Sequence, residues 1–379
     1  MKKFLALILA LVMALSLVAC GQKEEAPIDT DEGEETPEVA YTVAMVTDYG
    51  DITDQSFNQT TYEACKAFCE ANGMDFQYYK PASDSDEDRT TSIETAIDEG
   101  FNVIVTPGYA FAGALKATAE NYPDVTFIAL DVSAGDFGDD YTLPANLYSA
   151  VYQEELCGYM AGYAAVKMGY KNLGYCGGMA VPAVVRYGYG FVQGADAAAA
   201  ELGLTDVSVK YVYGNQFFGD ADITAYMDTW FSADTEVVFA CGGGIFTSVA
   251  ESAAKYDKKV IGVDVDQAAI IDGMSAEGTT ITSAMKGLAA TVDTMLAKVV
   301  AGEFEGGKIE NLGLVSAVPA ENFVQIAPST QFNDTFTQAD YEALVAAMFA
   351  GEVTVSNDIT CTAADMATVA SVEEFGNIK

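Results

Sequence analysis

The sequence contains no histidine, and this absence limits the chemistry open to the protein. Histidine is the side chain that most often moves protons in catalysis near neutral pH. Basic residues are also scarce, with 18 lysines and arginines against 56 aspartates and glutamates, and the formal net charge is −38. A surface this acidic repels nucleic acid and anionic lipid head groups. We therefore exclude nucleic-acid binding and expect no histidine-activated nucleophile.

Arginine is almost absent, because Arg89 and Arg186 are the only two in the chain. Anionic ligands such as nucleotides and amino acids are usually held by arginine or by several other cationic donors. The sequence therefore favours a neutral, hydroxyl-rich ligand.

Attachment to a membrane is predicted by the first twenty residues. Two lysines precede an apolar segment over residues 4–17, which is too short for an ordinary transmembrane span. Residues 17–20, Leu-Val-Ala-Cys, resemble the bacterial lipobox, in which the cysteine is lipidated and becomes the mature N-terminus. We predict a lipoprotein signal peptide over residues 1–20, a lipid on Cys20, a disordered acidic tether over residues 21–40, and a location on the extracytoplasmic face of the cell membrane. The alternative is an ordinary signal that happens to end in cysteine.

From residue 41 onward, short apolar runs alternate with segments of helical periodicity. This alternation predicts right-handed βαβ units and parallel sheets. We predict an α/β fold with two Rossmann-like lobes, one formed by residues 41–147 with about 280–317 and the other by residues 148–279 with about 318–350. Several crossovers between the lobes make a hinge, and hinged lobes can close around a ligand. Residues 351–379 are predicted to form an irregular C-terminal tail.

A helix is predicted from about residue 151 to residue 168, and it is apolar on almost every side. A membrane span or a dimer face would explain this pattern, but Glu154, Glu155 and Lys167 cut the apolar run well below spanning length. We therefore predict a buried helix.

Chemically useful side chains gather in the loops that follow the predicted strands. The carboxyl ends of parallel strands meet at one sheet edge, where open α/β folds bind small ligands. The candidate ligand-binding residues are Asp48, Phe57, Asn58 and Asp131 in the first lobe and Phe218, Gly242 and Asp264 in the second, with Lys286 close behind. Carboxylates accept hydrogen bonds from hydroxyl or ring N–H groups, and two facing rings can sandwich a flat base. Ribose and base together describe a nucleoside.

The same loops carry a family resemblance. The motifs are Asp54-Gln-Ser-Phe-Asn58 after Asp48, Pro123 with Asp131, Gly158-Tyr-Met-Ala-Gly162, Gly177-Gly-Met179 with Pro182 and Arg186, Gly190-Phe191 with Gly194, and Gly262-Val-Asp-Val-Asp-Gln267 with Thr282, Ser283 and Lys286. In their joint order over residues 41–328, these motifs resemble the basic membrane protein (Bmp) family of substrate-binding lipoproteins. Members of that family serve purine-nucleoside ABC importers and have the type I periplasmic-binding fold.

This resemblance implies a purine nucleoside as the ligand, ABC permease subunits as partners, no cofactor and no enzymatic activity. It also implies a role for each candidate residue. Phe57 and Phe218 stack on the base, Asp48, Asn58 and Asp131 bond to the edge of the base, and Asp264, Lys286 and a glycine near Gly242 hold the ribose.

The chain departs from the family pattern in three places. Gln55 stands where the family often has lysine, and Asn215-Gln-Phe-Phe218 replaces a plainer Gly-Ser-Phe, so either Phe217 or Phe218 is the second stacking ring. Three glycines followed by Ile245 also differ from the usual Gly-Thr-Gly of the loop on the ribose side.

Several residues also have a structural interpretation. Asp48 and Asp54 are typical helix-capping and turn residues, and Phe57 could belong to the core. Arg186 is expected to pair with a carboxylate of the second lobe. Cys65 and Cys69 without any histidine do not make a zinc pattern, so we expect them to be buried hydrophobes and predict no metal site.

Two other functions remain open at this point. One is a sugar-binding protein of the same fold. The other is a secreted nucleoside hydrolase that uses the aspartates as a base and as metal ligands.

Overall fold

The computed structural model of the protein describes residues 40–378 except Tyr49 and Asp139. The predicted signal peptide, the predicted lipidation site Cys20 and the predicted tether up to residue 39 lie outside the described residues.

The first sheet is parallel and takes its last strand from late in the chain. Its members are β1 (Val43–Val46), β2 (Phe76–Tyr79), β3 (Val103–Pro107), β4 (Thr126–Leu130), β5 (Leu147–Tyr152) and β11 (Lys308–Leu312). Their spatial order is β11-β5-β4-β3-β1-β2, with every neighbouring pair parallel. The accompanying helices are α1 (Phe57–Asn72), α2 (Asp86–Asp98), α3 (Ala112–Thr118), α4 (Ala134–Phe137) and α10 (Leu288–Val300). Because helices cover both faces, β1 and β3 are buried along their whole length.

The second sheet repeats this plan. Its members are β6 (Asn172–Gly177), β7 (Ser208–Tyr213), β8 (Val237–Cys241), β9 (Lys259–Asp264), β10 (Thr280–Lys286), β12 (Val324–Ile326) and β13 (Ser371–Asn377). The order is β12-β10-β9-β8-β6-β7-β13, and β10 with β12 is the antiparallel pair. Its helices are α5 (Glu154–Lys167), α6 (Pro182–Leu202), α7 (Ala221–Ala233), α8 (Phe246–Tyr256), α9 (Ala268–Met274) and α11 (Gln338–Phe349). Short 3₁₀ turns occur at Tyr109–Phe111, Pro319–Glu321 and Ala364–Met366.

The polypeptide passes between the two sheets three times in the described residues. It leaves the first sheet after β5, returns after β10 into α10, which packs on α1, and crosses finally between β11 and β12. Repeated crossovers of this kind form a hinge between two lobes.

The structure differs from the expected elements in three places. Residues 147–152 form the strand β5 and the following helix begins at Glu154, whereas a helix was expected from about residue 151. The strand β10 pairs with β9 in the second sheet, although residues 280–317 had been expected in the first lobe. The tail is not wholly irregular, because β13 pairs in parallel with β7.

The helix α5 is buried along most of its length and packs against α6. Of the helices in the described residues, none combines the length and apolar character that a membrane crossing requires.

Candidate ligand-binding site

A cavity of about 400 Å³ opens where the carboxyl ends of strands from both sheets meet. It brings together all eight residues singled out from the sequence. These are Asp48, Phe57, Asn58, Asp131, Phe218, Gly242, Asp264 and Lys286. Side chains that the sequence did not indicate complete the wall, including Val181, Val184, Tyr187 and Cys241.

The start of α1 is organised by Asp54. Its carboxylate accepts hydrogen bonds from the backbone N–H groups of Ser56, Asn58 and Gln59 at 2.9, 3.0 and 3.0 Å. This is the capping role that the structural interpretation of Asp54 describes. Ser56 stands at the usual capping position, but its hydroxyl makes no cap and donates instead to Asp264 of the other lobe at 2.6 Å.

Asp48 and Asn58 place oxygen atoms at one side of the cavity. Asp48 Oδ1 accepts the backbone N–H of Gly50 at 2.6 Å. Burial raises the pKa of Asp48 to about 6, although this hydrogen bond lowers it. Asn58 donates its amide to Asp54 at 3.2 Å, while its buried Oδ1 has no hydrogen-bond partner among the described residues. A ligand N–H or hydroxyl group could satisfy that acceptor.

Aromatic rings line the cavity from both lobes. Phe57, the first residue of α1, is half-buried, with its ring 5.1 Å from the Lys286 ammonium. Phe217 is half-buried in the second lobe, whereas Phe218 is 56% exposed. Gly242 has a φ of 143°, and a Cβ there would lie 3.1 Å from the Phe217 ring. Glycine at this position therefore allows the ring to lie against the backbone.

Two aspartates at the cavity have left-handed backbone conformations. Asp131 follows β4 with a φ of 60°, and Asp264 ends β9 with a φ of 64°. These are corresponding places in the two lobes, after the fourth strand of each series. Asp264 accepts hydrogen bonds from Ser56 at 2.6 Å and from Tyr187 at 3.3 Å. A non-glycine residue adopts this conformation at some energetic cost, so both positions are functional candidates.

Lys286 joins the two lobes electrostatically. Its ammonium lies 2.6 Å from Asp131 Oδ2 and 3.1 Å from Glu154 Oε1. The rings of Tyr152 and Tyr187 lie 5.2 and 5.6 Å from the same ammonium. Burial lowers the pKa of Lys286, but Asp131, Glu154 and Asp264 together raise it more, so the side chain keeps its charge. Burial also raises the pKa of Asp131 to about 6 although Lys286 lowers it, and Asp131 Oδ1 has no hydrogen-bond partner within residues 40–378 apart from the undescribed 49 and 139.

This arrangement suits a neutral polar ligand. Asp48, Asp131 and Asp264 line the cavity together with the single buried ammonium of Lys286. Carboxylates accept hydrogen bonds from hydroxyl and N–H donors, whereas an anionic ligand would meet uncompensated negative charge.

Ser56, Glu154 and Tyr187 also belong to this site, although the sequence did not indicate them as ligand-site residues. They lie at helix starts and within α6, whereas the residues predicted from the sequence follow the carboxyl ends of strands. The usable signal for Glu154 was a charged residue in an otherwise apolar helix. Its partner is Arg186 of the next helix, whose Nε lies 2.6 Å from Glu154 Oε2. This ion pair is the structural role expected of Arg186.

The cysteines give no sign of a metal centre. Cys65 and Cys69 are buried free thiols on α1. Across the described residues, no group of three or more histidine, cysteine, aspartate or glutamate side chains is arranged to hold a metal ion.

Two lobes with a hinge and a cavity between their sheet edges define a two-lobed solute-binding protein. A solved ABC transporter solute-binding protein from Conexibacter woesei superimposes with a TM-score of 0.64 and 22% identity, covering 84% of this chain and 99% of that one. The predicted periplasmic-binding fold is thereby confirmed. Residues 41–339 match the Bmp family, described as ABC transporter substrate-binding protein PnrA-like. The chain belongs to this family of ABC transporter substrate-binding proteins, as its motifs predicted.

The name of one relative supports the class of ABC transporter substrate-binding proteins, and a second relative is similar over most of the chain. The ABC transporter nucleoside-binding protein BmpA of Lactococcus lactis subsp. cremoris is 28% identical over 288 residues, which cover 72% of this chain and 78% of that protein. The CD4+ T-cell-stimulating antigen of Listeria innocua is 29% identical over 330 residues, which cover 82% of this chain and 87% of that protein.

Proposed function

We propose that the protein captures nucleosides, purine nucleosides in particular, outside the cell and delivers them to the permease of an ABC importer. The proposal includes a lipid on Cys20 that anchors the protein to the extracytoplasmic face of the cell membrane. The name of the Lactococcus relative supports the choice of nucleosides.

One observation carries the proposal. One cavity holds aromatic rings from both lobes together with two buried oxygens, Asn58 Oδ1 and Asp131 Oδ1, that lack hydrogen-bond partners in the part of the chain that the structure describes. A purine nucleoside supplies a flat base for the rings and N–H or hydroxyl donors for the oxygens. Since it would contact both lobes, it would favour the closed state over the open one.

We assign the contacts as follows. Phe57 and either Phe217 or Phe218 stack on the base, and Asp48 and Asn58 bond to its edge. Asp264 and the backbone at Gly242 hold the ribose. Asp131 and Lys286 are hydrogen-bonded to each other at 2.6 Å, so they act on the same part of the ligand.

Calorimetry against inosine, guanosine, adenosine, cytidine, uridine and free ribose tests the proposal. We expect purine nucleosides to bind most tightly and ribose to fail to displace inosine. Phe57→Ala should weaken inosine binding about 10- to 100-fold, because a base–ring stack contributes about 1–3 kcal/mol. Phe349→Ala, on the exposed end of α11, is the matched control and should bind normally.

Two results would replace this function by another. Ribose binding as tight as inosine binding, and insensitive to Phe57→Ala, would identify a sugar-binding protein. Free hypoxanthine after long incubation with inosine would identify a hydrolase.

The lipid anchor has its own test. Radioactive fatty acid supplied to growing cells should label the wild-type protein. The label should disappear in Cys20→Ala, and that variant should leave the membrane fraction. Labelling that persists in Cys20→Ala would disprove the assignment of this cysteine.

A further inference from the structure

Glu154 is a fully buried acid that lies beside the cavity without lining it. It is the first residue of α5, and its two carboxylate oxygens have different cationic partners. Oε1 lies 3.1 Å from Lys286 Nζ, and Oε2 lies 2.6 Å from Arg186 Nε. Although burial raises the pKa of Glu154, the two cations hold it below its ordinary value. Glu154 is therefore a fixed negative charge directly behind the ammonium of Lys286.

The two carboxylates around Lys286 come from different lobes. Asp131 follows β4 of the first sheet, whereas Lys286 ends β10 of the second. The helix α5 packs on β10 and on α6, which carries Arg186. When the lobes separate, Asp131 moves away from Lys286, but Glu154 and Arg186 stay with it. Among the described residues, Glu154 is thus the carboxylate at ion-pair distance that accompanies Lys286 in the open protein.

We propose that Glu154 is a positioning residue that fixes the Lys286 ammonium, charged and oriented, before the ligand arrives. An ammonium has three N–H donors. On closure Asp131 accepts a hydrogen bond from one of them, while Glu154 Oε1 forms an ion pair with the ammonium at 3.1 Å, and a donor remains for a ligand oxygen. Arg186 in turn holds Glu154. The part of this inference that concerns a ligand rests on the proposed nucleoside function.

The physical basis is the cost of an unpaired buried charge. The Lys286 side chain is 2% exposed, and its ion-pair partners among the described residues are Asp131 and Glu154. Without Glu154, and with the lobes open, the remaining carboxylate near it would be Asp264, which raises the pKa of Lys286 from beyond ion-pair distance. Leaving a buried charge unpaired is strongly unfavourable, and the lysine would respond by losing its proton or by moving. The titratable or charged groups that face Lys286 are Asp131, Glu154, Asp264, Tyr152, Tyr187, Cys157 and Cys241, with Arg186 behind Glu154.

The first test compares two buried acids that are neighbours on α5. Glu154→Gln should weaken inosine binding about 10- to 100-fold, in keeping with a lost charged hydrogen-bonding partner. Glu155→Gln is the matched control, because Glu155 is also buried near Arg186 but has no contact with Lys286. It should bind inosine as the wild type does.

A double-mutant cycle shows whether Glu154 acts through Lys286. In the Lys286→Met background, Glu154→Gln should cause no further loss of affinity, because the group that it positions is gone. This double variant also removes both members of the ion pair, so it keeps the test available if Glu154→Gln alone does not fold. An additional loss as large as in the wild-type background would overturn the proposal.

A second readout needs no ligand. Acetic anhydride modifies uncharged amines, and mass spectrometry can follow its reaction with Lys286 as a function of pH. In ligand-free Glu154→Gln, modification should begin at lower pH than in the wild type, about tenfold faster for each unit by which the pKa falls. Glu154→Asp, which keeps the charge, should restore most of the wild-type profile. Identical profiles for wild type and Glu154→Gln would overturn the proposal.

The two readouts also separate this inference from the proposed function. If the wild type bound no nucleoside, the nucleoside function would fail, while the labelling profile would still decide the role of Glu154.

Discussion

At the scale of single residues, the most informative feature is the left-handed backbone of Asp131 and Asp264. Aspartate and asparagine tolerate this conformation better than most residues, but it still costs energy compared with an ordinary strand end. Both residues carry their carboxylates to the cavity from corresponding strand ends. We infer that the left-handed backbone at Asp131 and Asp264 serves to direct their carboxylates into the cavity.

Asp264→Asn separates the carboxylate charge from the backbone conformation. Asparagine keeps the size of the side chain and tolerates a φ of 64°, so the folded protein should keep nearly its full stability. It replaces one acceptor oxygen by an N–H donor, and inosine affinity should fall about 10- to 100-fold, because hydrogen bonds to charged groups contribute about 1.5–3 kcal/mol. Calorimetry measures the affinity, and thermal melting measures the stability.

Asp257→Asn is the matched control for this substitution. Asp257 has a φ of 53° at the end of α8 and does not line the cavity. The control should leave both affinity and stability unchanged. Equal affinities for Asp264→Asn and the wild type would remove Asp264 from the set of ligand contacts.

The site residues that could be predicted from the sequence lie at strand ends, whereas those that could not be predicted lie on helices. Asp131 and Asp264 were predictable because parallel strands end at a common edge, and each follows an apolar run. Glu154 and Tyr187 were missed because they reach the site from helices, and the rotation of a helix about its axis is set by tertiary packing. Arg186 was expected to pair with a carboxylate of the second lobe, and it pairs with Glu154, but the sequence could not show which carboxylate this would be.

At the scale of elements, the packing of α5 on α6 places these missed residues. Two glycines on each helix face the partner, Gly158 and Gly162 on α5 and Gly190 and Gly194 on α6. A Cβ on any of them would collide with a backbone carbonyl of the other helix. The glycines therefore allow an unusually close approach of the two helices. This approach brings Glu154 of α5 beside Arg186 of α6.

Gly162→Ala tests this close packing. The added methyl group would meet the backbone carbonyl of Phe191, which cannot move without shifting α6. We expect the free energy of unfolding to fall by about 1–3 kcal/mol, the usual cost of overpacking, and inosine affinity to fall with it because Glu154 and Arg186 are displaced. Urea denaturation measures the first effect, and calorimetry measures the second.

Gly273→Ala is the appropriate comparison in the same chain. Gly273 lies in α9 and has open space around the position of a Cβ. Alanine there should stabilise the protein by about 0.5–1 kcal/mol through its higher helix propensity. A Gly162→Ala protein as stable as Gly273→Ala would show that the helices separate easily and that the glycines are not required.

The order of strands and helices was largely predictable, whereas several boundaries and pairings were not. The apolar alternation indicated most elements. The predicted helix start at about residue 151 is wrong, because a short buried apolar run such as β5 has no periodicity that separates strand from helix, and the polar residues after it begin only at Gln153. The strand β10 stays in the second sheet, where it pairs with β9 and β12, and the partner of β13 is β7, more than 150 residues earlier. Such pairings depend on the whole sheet and leave little local signal.

At the scale of the whole molecule, three buried acids make the stability of the protein depend on pH. Burial raises the pKa of Asp48 and of Asp131 to about 6 and that of Glu155 to about 7, above ordinary values of 3.8 and 4.5. At a pH between the ordinary and the raised pKa values, the folded ligand-free protein binds protons that the unfolded chain does not. Its stability therefore rises as pH falls through this window.

Ligand binding should respond to pH in the opposite direction. If Asp48 and Asp131 accept hydrogen bonds from a nucleoside, protonation below about pH 6 removes these acceptors and weakens binding. As the pH falls from 7.5 to 5, the melting temperature of the ligand-free protein should therefore rise by about 2–6 °C, while the additional stabilisation by inosine shrinks.

Asp48→Asn should reduce both trends, because asparagine does not titrate. Acids with lowered pKa values, such as Asp196, stay ionised in this window and do not disturb the comparison. Differential scanning calorimetry with and without inosine measures both quantities, and a ligand-free melting temperature that falls steadily from pH 7.5 to pH 5 would contradict the assignment of these buried acids.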